Sequence, residues 1–345
     1  MCLWLALAAV GATGGGEPVP LAALQQMLGW SSCVERAETI DIGDGTNRLR
    51  FFPGMRRAEL NGVAVWLNAV AEPAGTSLVN LAAADVERVL LPLFSQPSRE
   101  PAPLRVMLDP GHGGEDGGAS SSAPHLLEKE LVLDLALRIG ARLETAGMAV
   151  GYTRTNDTFL TLSERTALAG AWRADVFVSL HANTAGNRLA SGRETYVMPL
   201  AGHPPTGAGT LSDRPRAGNG HDRHNTLLGY HIHRQIPGRR HSADRGLRRA
   251  RFQVLRQAPC PAALIEVGFL SNGREAERLA SGWYRARLAD AVASGVLEYA
   301  RHLAADAPGK ATSPAPCPPA DDVGGTEDGT EDGDEEVKET ASDAP

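Results

Sequence analysis

Val106-Met-Leu-Asp-Pro-Gly-His-Gly-Gly-Glu-Asp-Gly-Gly-Ala119 reads as an apolar strand that runs out into a glycine-rich loop carrying one histidine. Val106, Met107 and Leu108 supply the strand, and Asp109 and Pro110 stop it. Glycines on both sides of His112 let backbone approach whatever that imidazole holds. Two further segments repeat the design. Asp175-Val-Phe-Val-Ser-Leu-His-Ala-Asn183 delivers His181 at the end of a second apolar strand, and Ala262-Ala-Leu-Ile-Glu-Val-Gly-Phe-Leu-Ser-Asn272 sets Glu266 inside a third. A lone carboxylate among apolar strand residues needs a cation or a proton. In an open α/β sheet the carboxyl ends of the strands share one crevice, so segments distant in sequence can converge there. The expected fold is α/β, a catalytic domain with a central, mostly parallel twisted sheet flanked by helices.

Glu128 opens a stretch in which Leu131, Leu135, Ile139 and Leu143 recur at helical spacing, so a helix with a buried stripe should start at Glu128. Two histidines and a carboxylate with an open fourth position form the usual catalytic zinc arrangement, and a further glutamate is the usual general base. Glu115 is a rival to Glu128 as ligand because His112-Gly-Gly-Glu115 has a short His-x-x-Glu spacing, and the residues alone leave both open. Glu194, at the head of another strand, could lie near the site, but a strand-end surface charge is the expectation. Asn183 and Asp116 are candidates for orienting ligands, and Arg165 for a structural salt bridge.

The ordered set resembles zinc-dependent N-acetylmuramoyl-L-alanine amidases of the amidase 3 family, over roughly residues 104–300. The resemblance is carried by His112 in Asp-Pro-Gly-His-Gly-Gly, Glu128 in Leu-Glu-Lys, and Thr153-Arg154 with Asp157, Leu162 and Arg165. Further along, it is carried by His181 in Ser-Leu-His-Ala-Asn, Arg245-Gly-Leu247 before Phe252-Gln-Val-Leu255, and Glu266 in Ile-Glu-Val-Gly-Phe-Leu-Ser-Asn. It implies that His112, Glu128 and His181 hold one Zn2+ and that Glu266 is the catalytic glutamate. It also implies peptidoglycan as substrate, cut between N-acetylmuramic acid and L-alanine of the stem peptide. A zinc peptidase working within the stem, or an inactive wall-binding module, is the alternative. In some members of the family an insertion near residues 200–225 forms a helix that plugs the site. Here that segment is polar and rich in Gly and Pro, so it should be a surface loop near the site mouth, without built-in autoinhibition.

The remaining chain bears on organisation and location. Residues 1–16 read as a signal peptide and short spacer, an apolar run with Val10 and Ala12 placed for cleavage though no Lys or Arg precedes it. Export to the periplasm or cell envelope is the expectation, with no stable membrane span after signal removal. Residues 17–94 form a small α+β accessory domain: Leu21, Leu24 and Leu28 at helical spacing, a hairpin around Asn61-Gly62, and a second helix over Ala84–Leu91. With Phe51-Phe52 and Arg57-Ala-Glu-Leu-Asn-Gly-Val, this segment is similar to the N-terminal-like module of copper amine oxidases. Residues 95–103 are the linker, 104–303 the catalytic domain and 304–345 a disordered acidic tail. Residues 321–345 carry eleven acids against one lysine, a charge of −10 within a chain of −7, so the rest sums to +3. A mildly basic folded part suits an anionic polymer weakly, and no basic, aromatic-interleaved platform marks a nucleic-acid partner. Any activator protein is unknown from sequence. Scattered Cys33, Cys260 and Cys317 make no disulfide framework. His203, His221, His224, His231, His233 and His241 are irregularly spaced and are expected on solvated loops and a helix face, not at a second metal.

Overall fold

The computed structural model describes residues 16–306 except 76, 77, 208, 210 and 239–243. The signal run, Cys2, His241, Cys317 and the acidic tail from 307 onward lie outside the described residues. Alternation of side chains along the strands organises the rest. Val106 and Leu108, Val176, Val178 and Leu180, and Ala263, Ile265 and Val267 turn to one face and join the large core. Met107, Phe177, Ala262 and Leu264 turn to the other and join a second cluster. Strands buried on both faces read as near-continuous apolar runs, and parallel pairing follows when helices cover both sides.

Helix Glu128–Thr145 begins at the expected residue, and its predicted stripe of Leu131, Leu135, Ile139 and Leu143 is buried. It packs with helix Gly282–Asp306, which also packs on helix Asp222–Gln235. Six strands of the large sheet run in the order Ala149–Tyr152, Arg105–Pro110, Val176–Asn183, Ala262–Phe269, Arg193–Val197, Asp244–Arg249. All neighbours are parallel except Arg193–Val197 against Ala262–Phe269. The sheet does not stop there. Leu247 pairs in parallel with Val65, and the antiparallel meander of residues 32–66 continues it to eleven strands. The hairpin at Asn61-Gly62 is present, with φ of 52° and 84° as a primed turn requires.

Four sequence expectations change. The strand after Arg105 runs through Asp109 and Pro110 instead of stopping before them, because parallel pairing with Val176–Leu180 holds both. Residues 83–94 form not one helix but a short α-turn, a π segment Val86–Leu90 and a 3-10 turn Leu91–Phe94. Pro92 cannot donate to the carbonyl four residues back and crowds it, which opens the preceding turn. The loop after residue 200 lies at the far end of the sheet from Glu266. The antiparallel strand Arg193–Val197 starts opposite Glu266 and leaves beyond Leu264, so its C-terminal loop departs away from the crevice. Helix Asp222–Gln235 begins within the segment read as loop and is buried on nearly every side, including His231 and His233 at 1% and 0% exposure.

Arg249 ties the meander to the mostly parallel part of the sheet. It is fully buried, its Nε donates to Trp66 O at 3.1 Å and its Nη1 to Met198 O at 3.2 Å. Beside it, Arg56 donates to the carbonyls of Pro204 and Pro205 at 2.8 Å each. Arg249→Ala should leave several buried carbonyls unpaired and an unfilled volume, destabilising the chain by about 3–5 kcal/mol. A urea midpoint equal to that of the native chain would show that the joint does not depend on it.

Candidate metal centre

The site is assembled at the carboxyl ends of the parallel strands by buried charge. Asp109, with no exposure, accepts from Thr153 Oγ1 at 2.7 Å, Ser179 Oγ at 2.7 Å and Arg165 Nη1 at 2.8 Å. Arg165 also donates to Pro110 O at 2.8 Å and His112 O at 2.9 Å. Arg154 donates to Pro110 O at 2.9 Å and Gly111 O at 2.7 Å. Three consecutive carbonyls are thus clamped by two guanidiniums, which holds His112 in the left-handed region at φ 58°, a conformation that costs a non-glycine residue energy. Arg165 is a structural ion-pair partner, as its sequence context suggested. The part played by Asp109 was not read from sequence, because an Asp before Pro looks like a strand terminator.

His112, Glu128 and His181 each direct one donor atom into a group whose members all lie within 4.8 Å of one another, a possible metal-binding site. Glu128 Oε1 lies 3.1 Å from His112 Nε2 and 3.0 Å from His181 Nδ1. The same carboxylate accepts Ala182 N–H at 2.9 Å and Ala119 N–H at 2.7 Å, so both its oxygens are anchored by backbone. Gly118 has to be glycine: a Cβ there would stand 2.6 Å from Glu128 Oε2 and 2.7 Å from the His112 ring. His112 Nδ1 donates to Asp116 at 2.7 Å, the orienting role considered for that residue. That bond directs the Nε2 lone pair toward a carboxylate oxygen, an arrangement stable only with a proton or a cation between them. Burial pulls the His112 pKa down, but Glu128 and Asp116 outweigh it and raise the value. Burial pushes Glu128 up, and its bonds to both histidines override this and hold it far below the usual range. The two imidazoles keep 22% and 18% side-chain exposure, so the group opens to solvent. Glu115 is exposed and outside this group.

In the sheet, Glu266 is flanked in register by His181 on one side and Glu194 on the other. Its Oε2 is sealed from solvent and has no hydrogen-bond partner, and burial followed by the charges of Glu128 and Glu194 raises its pKa well above the ordinary value. Glu194 is not the surface charge expected from its strand-end position. It is 1% exposed, because the meander and strand Asp244–Arg249 cover that side of the sheet. Its Oε1 accepts from Arg245 and Arg248 at 2.5 Å each, and its Oε2 from Tyr196 at 2.9 Å and Asn183 at 3.0 Å. Asn183 therefore orients Glu194 and not one of the converging donors.

A strand-end crevice with convergent imidazole and carboxylate donors beside a protonatable acid defines a hydrolase-type site on an α/β sheet. The family profile described as Amidase_3, N-acetylmuramoyl-L-alanine amidase, matches residues 106–298, and the chain belongs to that family. It is 32% identical over 196 residues to N-acetylmuramoyl-L-alanine amidase LytC of Bacillus subtilis, covering 57% of this chain but only 35% of LytC. It is 34% identical over 202 residues to the sporulation-specific N-acetylmuramoyl-L-alanine amidase of the same organism, covering 58% of this chain and 69% of that one. The solved catalytic domain of CwlV, N-acetylmuramoyl-L-alanine amidase from Bacillus (Paenibacillus) polymyxa var. colistinus, is 32% identical with a TM-score of 0.48, over 57% of this chain and 97% of that one. No described helix is long and apolar enough to cross a membrane.

Burial pushes the Glu194 pKa up, but Arg248 and Arg245 prevail and hold it below the ordinary 4.5. Its charged form therefore contributes stability that is complete above pH 4.5 and is lost as pH falls through the lowered value. Glu194→Gln should cost about 3–5 kcal/mol at pH 7, with the gap to the native chain narrowing in acid. A gap in urea midpoint that stays constant from pH 7 to pH 3 would contradict this.

Proposed function

We propose that this chain is an exported zinc amidase that hydrolyses the amide between N-acetylmuramic acid and L-alanine in peptidoglycan. The observation that carries the reading is the pairing of a three-donor group with a partly buried carboxylate that has one sealed, unpartnered oxygen, in adjacent register on the sheet. His112, Glu128 and His181 are the residues that would hold the ion, and their donor chemistry fits Zn2+: two imidazoles and one carboxylate crowded at distances that need a positive charge. Bound there, zinc supplies Lewis acidity that makes water nucleophilic near neutral pH.

The chain's own residues do the rest. Glu128, anchored by two backbone N–H groups, fixes the spacing of the imidazoles. Asp116 sets the tautomer of His112. Glu266 is the catalytic glutamate: it takes a proton from the water whose oxygen bonds to the amide carbonyl carbon. As the C–N bond breaks, it returns that proton to the departing nitrogen of L-alanine. Glu194, already saturated by donors, keeps its charge and adds to the proton affinity of Glu266. Residues 17–94 serve as an accessory unit to the catalytic domain, and the apolar run at the start of the chain supports export.

Purified peptidoglycan should release intact stem peptides bearing a free L-alanine amino terminus, identified by mass spectrometry, and a chelator should abolish the release. Glu266→Gln should retain zinc yet lower the rate about 10²- to 10⁴-fold. Cleavage inside the stem would move the enzyme to the peptidases; full activity of Glu266→Gln would end its role in proton transfer.

A further inference from the structure

His231 is an imidazole with nothing to bond. It sits on helix Asp222–Gln235 at 1% exposure, and neither ring nitrogen has a hydrogen-bond partner. Leaving a buried polar atom unsatisfied costs about 1–3 kcal/mol, so what the ring faces matters. It faces a second imidazole and a carboxylate. The His302 ring centroid lies 4.4 Å away, and one donor atom from each of His231, Glu298 and His302 falls within 4.8 Å of the others. Glu298 and His302 are four residues apart on helix Gly282–Asp306 and so share a face. Gly295, about one turn earlier, brings the two helices to backbone contact: a Cβ there would stand 2.4 Å from Ile232 Cα. The spacing of the three donors is therefore set by main chain.

Hydrogen bonding prepares the second imidazole as a ligand. Ser95 Oγ donates its proton to Pro92 O at 2.9 Å, so it must accept from His302 Nδ1 at 2.8 Å. That tautomer places the lone pair on Nε2, and an oxygen partner on the distal nitrogen is the usual support of a metal-bound histidine. Glu298 keeps 23% side-chain exposure, which leaves a route from solvent, and it also pairs with Arg301 at 2.8 Å.

We propose that His231, Glu298 and His302 form a second metal site, for a divalent transition ion of the zinc class, that fastens the last helix to helix Asp222–Gln235. Two imidazoles and a carboxylate suit zinc, copper or nickel and not magnesium or calcium. A tetrahedral ion with bonds of ~2.0–2.1 Å spaces its ligands roughly 3.4 Å apart, which falls within the 4.8 Å that bounds the three donor atoms. The site shares no residue with the His112, Glu128 and His181 group.

The test counts metal in the full chain by atomic emission after stripping and dialysis against Zn2+. The native chain should hold two equivalents and His302→Gln one. His112→Ala/His181→Ala should also hold one, and should lose it when His302→Gln is added. Thermal melting followed by circular dichroism guards against misfolding: Zn2+ should raise Tm in the double variant and leave the triple variant unmoved. A double variant that folds but binds no zinc, or a triple variant that keeps its zinc and its Tm shift, would overturn the proposal.

Discussion

The geometry of the crevice depends on one buried carboxylate. Asp109 sits without exposure between three strands and is the counterion of Arg165, whose remaining donors hold the carbonyls of Pro110 and His112. An ion pair in a low-dielectric interior stays put only when its spare donors and acceptors are also bonded. Here that requirement is met by the backbone of the loop that bears His112. The left-handed conformation of His112, the close approach of Gly118 to Glu128 and the aim of the imidazole all follow from a loop that cannot relax. Arg154 reinforces the clamp from the neighbouring segment, also reaching Lys129 O at 2.8 Å and so coupling the loop to the helix that starts at Glu128.

Glu266 and Glu194 are direct neighbours in the sheet, yet their environments separate them. Two guanidiniums, a phenol and an amide hold Glu194 as an anion. Glu266 has one sealed, orphaned oxygen and two nearby negative charges. Pairs of carboxylates driven apart in this way divide into a fixed charge and a proton carrier. The two guanidiniums that fix Glu194 come from strand Asp244–Arg249, the same strand whose other edge receives the meander. Covering that strand thus removes water from one flank of the site and joins the two parts of the chain in one sheet.

Much of this was legible from sequence. Apolar runs ending in His112, His181 and Glu266, and the stripe that starts at Glu128, are local patterns, and local patterns specify strand ends, helix starts and candidate donors. The hairpin of the meander was equally local, written in Asn61-Gly62. What misled was context. Glu194, His231 and His233 have the composition of surface residues, and only the packing of other elements over them makes them buried. The loop after residue 200 was placed at the wrong end of the sheet because a sequence does not state whether the strand before it runs parallel or antiparallel.

Sequence by itself determined the class of fold, the family and the identity of the converging donors, because periodicity and motif spacing act over a few residues. Tertiary structure alone decided which carboxylate is paired and which is orphaned. It also set the direction of Arg193–Val197, the continuation of the sheet into the meander of residues 32–66 and the meeting of His231 with His302. Each of these depends on the dielectric surroundings and on contacts between segments tens of residues apart, and neither quantity exists until the chain has folded.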